Sequence, residues 1–185
     1  MLNIRSIDLL MYDHRIIERG LDLLQTAVSK LEKKKKVSTE VFEKLIRFFR
    51  EFADESRHGE EENHLFTSLE IRGIPREGGP IGVMLYEHDL GRRLLRDIEE
   101  SLHKINKDPE ANKDLIVTSL KYIELLRQHI FKEDSILFKM AEEILDDDVD
   151  KRLVKAFKDV KNRVLGSGDH DRLIRSLDEI EKLLK

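Results

Sequence analysis

Residues 57–62 read Arg57-His58-Gly59-Glu60-Glu61-Glu62, inside a long run whose apolar residues recur every three or four positions. On an α-helix a histidine and a glutamate four residues apart stack on one face, about 6 Å apart along the axis, so His58 and Glu62 are expected to point the same way. The spacing returns at His129-Ile130-Phe131-Lys132-Glu133, again within a helical pattern. Glutamate is abundant in this chain, so a bare H-x-x-x-E pair carries little weight. Its place on an otherwise apolar stripe carries more.

The run around the first pair follows Ser38 and Thr39, both of N-cap type, and extends to about residue 71. Its stripe is Val41, Leu45, Phe48, Phe52, Glu55, His58, Glu62, Leu65 and Leu69, with three successive ionisable positions in the middle. Upstream, a helix over about 3–32 carries Ile4, Ile7, Met11, His14, Ile17, Leu21, Leu24, Val28 and Leu31, interrupted only by His14. Downstream, Gly73-Ile74-Pro75-Arg76-Glu77-Gly78-Gly79-Pro80 is the clearest loop. A third helix over about 81–106 then carries Ile81, Met84 or Leu85, His88, Gly91, Leu95, Ile98, Leu102 and Ile105.

Asp108-Pro109 pairs an acidic N-cap with proline at the first helical position and opens a fourth helix to about residue 145. Its face reads Leu115, Tyr122, Leu125, His129, Glu133, Ile136 and Met140. Beyond Asp146-Asp147-Asp148, a fifth helix is expected at about 149–164, and a sixth follows Gly166-Ser167-Gly168-Asp169. The fold class is therefore all-α: an up-down-up-down four-helix bundle over residues 1–145, with one or two additional C-terminal helices over 146–185 packed on it.

Short connections make neighbouring helices antiparallel, and that topology fixes the depth of each polar residue. His14 lies about 21 residues before the middle of the first loop and His58 and Glu62 about 25 after it, so both sit roughly 30 to 38 Å from that end. His88 lies about 20 residues before Asp108-Pro109, and His129 and Glu133 about 23 after it. Four histidines and two glutamates thus share one layer. Two carboxylates in an apolar bundle need cations to neutralise them, and a bound metal supplies that charge.

Composition narrows the chemistry. There is no cysteine, which excludes disulfides, thiolate catalysis and iron–sulfur or cysteine–zinc sites from this chain alone. Charged residues make up 39% of the chain with a net charge of only −4, a mixture that does not favour nucleic acid. The one basic block, Lys33 to Lys36, reads as a solvated loop. No apolar run approaches the roughly 18 residues of a membrane span, and a soluble, cytoplasmic chain is expected. Four imidazoles and two carboxylates exceed a tetrahedral zinc site and suit iron. Two octahedral ions bridged by the carboxylates and by oxide or hydroxide would keep about one open position each, for a small ligand. Gly91 is expected to leave room beside His88, walled by Phe52, Leu125 and Tyr122, while Glu55 would orient the His58 ring. His64, Glu18, His103 and His170 fit solvated faces.

Over about residues 8–145 the chain resembles the hemerythrin family, specifically the bacterial and archaeal HHE cation-binding domains. The segments that carry the resemblance are Asp13-His14, His58-Gly59-Glu60-Glu61-Glu62 with Leu65-Phe66, Gly79-Pro80-Ile81 leading to Glu87-His88-Asp89-Leu90-Gly91-Arg92, and His129-Ile130-Phe131-Lys132-Glu133-Asp134 with Leu137-Phe138. The resemblance implies two iron ions, with His14, His58, His88 and His129 as terminal ligands and Glu62 and Glu133 as bridges. Oxygen-carrying members have a further histidine where this chain has Arg92, which leaves Glu61 or water for that place. Many relatives also have histidine where this chain has Arg57. The implied function is binding of dioxygen, peroxide or nitric oxide, for sensing, detoxification or storage. The alternatives are a metal-regulated or metal-free interaction module, and a di-iron peroxidase or iron–sulfur-repair type of enzyme.

Overall fold

The computed structural model describes residues 5–105, 110–166 and 169–185. The expected helix starts at Asp108-Pro109 and Ser167-Gly168, and the first residues of the expected first helix, lie outside the described residues. Six helices are labelled here in chain order: α1 (Ser6–Glu32), α2 (39–71), α3 (Pro80–Lys104), α4 (111–144), α5 (Asp147–Leu165) and α6 (Asp169–Leu183). Every regular element among the described residues is helical. Ser38 caps α2 by accepting from the Glu40 amide, and Asp146 caps α5 by accepting from Val149.

Helices α1 to α4 form a ring in which each packs on its sequence neighbour and α4 closes against α1. Helix α1 comes close to α2 at Gly20, where a Cβ would stand 2.7 Å from the Phe48 ring, so only glycine fits without displacing it. Helix α5 lies along α1 and the middle of α2, and α6 crosses α1 and the start of α2. Both therefore cover the α1–α2 side of the bundle.

Two apolar clusters fill the interior, one on either side of a polar layer. One gathers Leu21, Leu24, Phe42, Phe48, Leu95 and Leu126 with Leu173, Leu177 and Ile180 of α6. The other gathers Ile7, Leu10, Phe66, Ile81, Leu137 and Phe138 with Val149, Leu153 and Phe157 of α5. Each fully buried phenylalanine contributes roughly 1.5–3 kcal/mol of transfer free energy, so both clusters hold the layer between them at fixed depth.

Helices α2 and α4 are not uniform. Within α2 the turns over Phe49–His58 and Glu61–Leu65 are π-helical, and within α4 so is Glu133–Leu137. A π turn bonds i to i+5, so each wide turn moves the following side chains around the axis relative to a 3.6-residue count. The expected stripe in α4 continues through Ile136 and Met140, but the chain buries Leu137, Phe138 and Ala141 and leaves Ile136 52% exposed. In α2 the expected Glu55 is exposed, and Ser56 and Arg57 are buried instead.

Candidate metal centre

The polar layer takes His14 from α1, Arg57, His58, Glu60 and Glu61 from α2, His88 from α3, and His129 and Glu133 from α4, all buried. Two groups of metal-type donors emerge, each with its donor atoms within 4.8 Å of one another. The first is His58, Glu61, His88 and His129; the second is His14, Glu61 and Glu133. Glu61 belongs to both.

Glu62, the carboxylate expected from the four-residue spacing, is not among these donors. It is half-buried at the edge, where it accepts from His88 Nδ1 at 2.7 Å and from Arg92 Nη2 at 2.7 Å. The wide turns of α2 rotate the glutamate run, so Glu61 takes the inward place. Asp54 likewise takes the role expected of Glu55, 3.2 Å from His58 Nδ1. The structure brings together the other five expected residues, His14, His58, His88, His129 and Glu133.

Each of the four imidazoles is tied on its outer side through Nδ1. The partners are Asp134 for His14 at 2.6 Å, Asp54 for His58, Glu62 for His88, and Glu87 for His129 at 3.0 Å. An ionised carboxylate only accepts, so Nδ1 carries the proton and Nε2 keeps its lone pair. Burial pushes His14, His58 and His88 well below the usual histidine range, which leaves these rings neutral at neutral pH. Asp134 and Glu87 are held in turn by Arg15 and Lys132. Glu62 stays below the ordinary carboxylate range because the bonds from His88 and Arg92 outweigh its burial.

The inner side is an encounter of acceptors. His88 Nε2 lies 3.2 Å from His129 Nε2 and 3.5 Å from Glu61 Oε2, and Glu133 Oε2 lies 3.5 Å from His129 Nε2 and 3.1 Å from His14 Nε2. None of the four carboxylate oxygens of Glu61 and Glu133 takes part in a well-directed hydrogen bond, and all are buried. Burial, followed by the neighbouring Glu61, pushes the Glu133 carboxyl well above its ordinary range. Converging lone pairs in a low-dielectric layer repel unless a cation lies among them, so the residues fit a metal ion.

Aromatic rings set the donors in place. His58 stacks on His88 with ring centroids 3.7 Å apart, Phe66 covers the other side of His88 at 5.9 Å, and Phe138 stacks on His14 at 5.4 Å. Gly91 faces Tyr122, Leu125 and Leu126, and an added Cβ would meet them at ordinary contact distance, so a small space exists there. Arg92 stands outside the donors and clamps Asp54 at 2.7 Å as well as Glu62.

Two residues escape periodicity altogether. The Arg57 guanidinium, 1% exposed, lies inside the layer, and Glu60 is fully buried beside it. Burial pushes the Glu60 carboxyl up to about 8, against the pull of Lys161 and Arg57. On the same side Lys161 of α5 donates to Asp13 at 2.6 Å, and His170 of α6 lies 3.8 Å from Asp13. His170 is thus half-buried against the bundle, not solvated as its sequence position suggests, because α6 folds back over α2. Helical periodicity gives no signal for Arg57; the one signal is the resemblance, in which many relatives have histidine at that position.

A family profile described as the hemerythrin HHE cation binding domain matches residues 5–141. Three curated relatives are each 23% identical over 177 residues, spanning 95% of this chain and 68% of their own length. They are Uncharacterized protein Rv1995 and Uncharacterized protein MT2051 of Mycobacterium tuberculosis and Uncharacterized protein Mb2018 of Mycobacterium bovis. No solved structure matches the chain at the same stringency. No helix among the described residues is long and apolar enough to cross a membrane.

Proposed function

We propose, since the chain belongs to the hemerythrin HHE cation-binding domain family, that its buried layer is a non-haem iron centre that binds a small oxidant or diatomic molecule. The observation that carries this reading is the convergence of imidazole Nε2 atoms and Glu61, each imidazole fixed from behind by a carboxylate. A mixed imidazole and carboxylate donor set suits iron, though zinc takes the same donors, and membership of the hemerythrin family is what favours iron. Iron held there supplies an open coordination position for dioxygen, peroxide or nitric oxide.

The residues of this chain do the rest. His58, His88 and His129 would hold the ion through Nε2; Asp54, Glu62 and Glu87, bonded to their Nδ1 atoms, orient the rings and would raise their basicity. The two apolar clusters exclude water from above and below. Asp54, Glu62 and Arg92, with side chains 23%, 26% and 29% exposed, form a wall that reaches the surface, and a small molecule would enter past it.

The test is an anaerobic titration. Chelator-stripped protein reloaded with ferrous iron is exposed in turn to dioxygen, hydrogen peroxide and nitric oxide while its ultraviolet-visible spectrum is recorded. A saturable spectral change with at least one of them supports the reading. Identical spectra throughout, with a melting temperature indifferent to iron, would sink it.

A further inference from the structure

Rings and carboxylates enclose two donor groups around Glu61, and Arg57 approaches every member of one group but pairs only with the shared Glu61 of the other. We propose that Arg57 is a resident cation filling the place of a second metal, so that the centre takes a single metal ion, among His58, Glu61, His88 and His129. The proposal deepens the iron reading above and rests on it.

Arg57 approaches every member of the second group. Its Nη1 is 2.8 Å from Glu61 Oε1, its Nη2 is 3.0 Å from His14 Nε2, and Nη2 is 4.0 Å from Glu133 Oε2. Its Cζ lies 5.7 Å from the centroid of the Phe138 ring, the same ring that stacks on His14. A guanidinium has donors only and keeps its charge at any relevant pH. With His14 Nδ1 committed to Asp134, the contact at Nε2 uses the one imidazole lone pair this group has. Arg57 therefore supplies the charge and takes up the donor that a second ion would need.

Glu61 divides its work between the groups. Oε1 faces Arg57, while Oε2 faces His88 Nε2 at 3.5 Å. Were both Glu61 and Glu133 ionised, Arg57 would already cancel one of their two charges, and a single divalent ion would more than cancel the other. A second ion would stand against the guanidinium in a layer of low dielectric, where like charges repel strongly.

The closing experiment counts ions. The full chain, stripped with a chelator and loaded anaerobically with excess ferrous ammonium sulfate, is desalted and examined by elemental analysis and native mass spectrometry. The expected result is one iron per wild-type chain, rising about twofold in Arg57→His, which adds an imidazole and removes the charge. Arg57→Gln, shorter and neutral, is expected to admit the second ion as well. Two ions in the wild type would overturn the proposal and leave the iron reading standing. One ion in wild type and in both folded variants would also overturn it, because Arg57 would then exclude nothing. No bound ion in any of the three would overturn the iron reading and the proposal together. The wild-type count needs no variant, so a misfolded substitution leaves the test intact.

Discussion

In the half of the layer formed by His58, His88 and His129, three imidazoles and one carboxylate face inward, and of these Arg57 pairs with the carboxylate, Glu61, alone. In the half formed by His14 and Glu133, the guanidinium of Arg57 lies where those donors converge. Both halves use the same donor types, the same carboxylate-anchored rings and the same shared Glu61. The difference shows that counting donors along a sequence measures what a site offers, while the cations already present decide how much of the offer remains. A bundle can bring two donor groups together and satisfy one of them itself.

The largest effect is expected at the residue common to both halves. Glu61→Ala removes a donor from the first half and leaves Arg57 without its closest carboxylate in the second. Breaking a buried ion pair on one side costs about 3–5 kcal/mol, so the metal-free protein should lose that much in a denaturant titration and should no longer retain iron. A loss no greater than that of an exposed glutamate would break the comparison at its pivot.

Next comes the pH dependence of the half that contains Arg57. Glu60 keeps its proton to about 8 in the folded chain against 4.5 ordinarily, so the folded state binds more protons than the unfolded state between these values. Stability from Glu60 is full below 4.5 and falls as pH rises toward 8, at up to about 1.4 kcal/mol per pH unit. Glu60→Gln cannot ionise, and its urea midpoint in metal-free protein should lose that slope. An unchanged slope would assign the pH dependence elsewhere.

Iron itself should act through the first half. Binding to the folded state alone stabilises by about 2.7 kcal/mol at a hundredfold excess over Kd, visible as a rise in melting temperature that a chelator reverses. The same rise in His129→Ala would separate that stabilisation from the first half. A smaller effect belongs to the anchors: Glu62→Gln should retain iron but release it about 10–100-fold more readily to a competing chelator. In Glu61→Ala, by contrast, retention should be lost. Equal behaviour of the two variants would erase the distinction between inner and outer carboxylate.

That distinction also marks where sequence reasoning stops. The helices were legible because Ser38, Asp146 and the glycine–proline loop punctuate long apolar stripes, and the histidines because His14 and His88 each stand alone on such a stripe while His58 and His129 interrupt theirs together with glutamates. The choice among Glu60, Glu61 and Glu62 was not legible, since three adjacent carboxylates can be ordered only by the local helical register. The π turns of α2 shift that register, as they do for Asp54 against Glu55, and the π turn of α4 does the same for Leu137 against Ile136. Arg57 stood out only as a place where many relatives have histidine, and its burial was hidden for a different reason. Its burial depends on partners from α1 and α4 that no spacing within α2 reveals.

Anomalous diffraction at the iron edge, from crystals of the full chain loaded with ferrous iron, tests the central claim most directly. The account predicts one peak per chain, among His58, Glu61, His88 and His129, with Arg57 still against Glu61 and His14. A peak among His14, Glu61 and Glu133, or a layer without any peak, would contradict it.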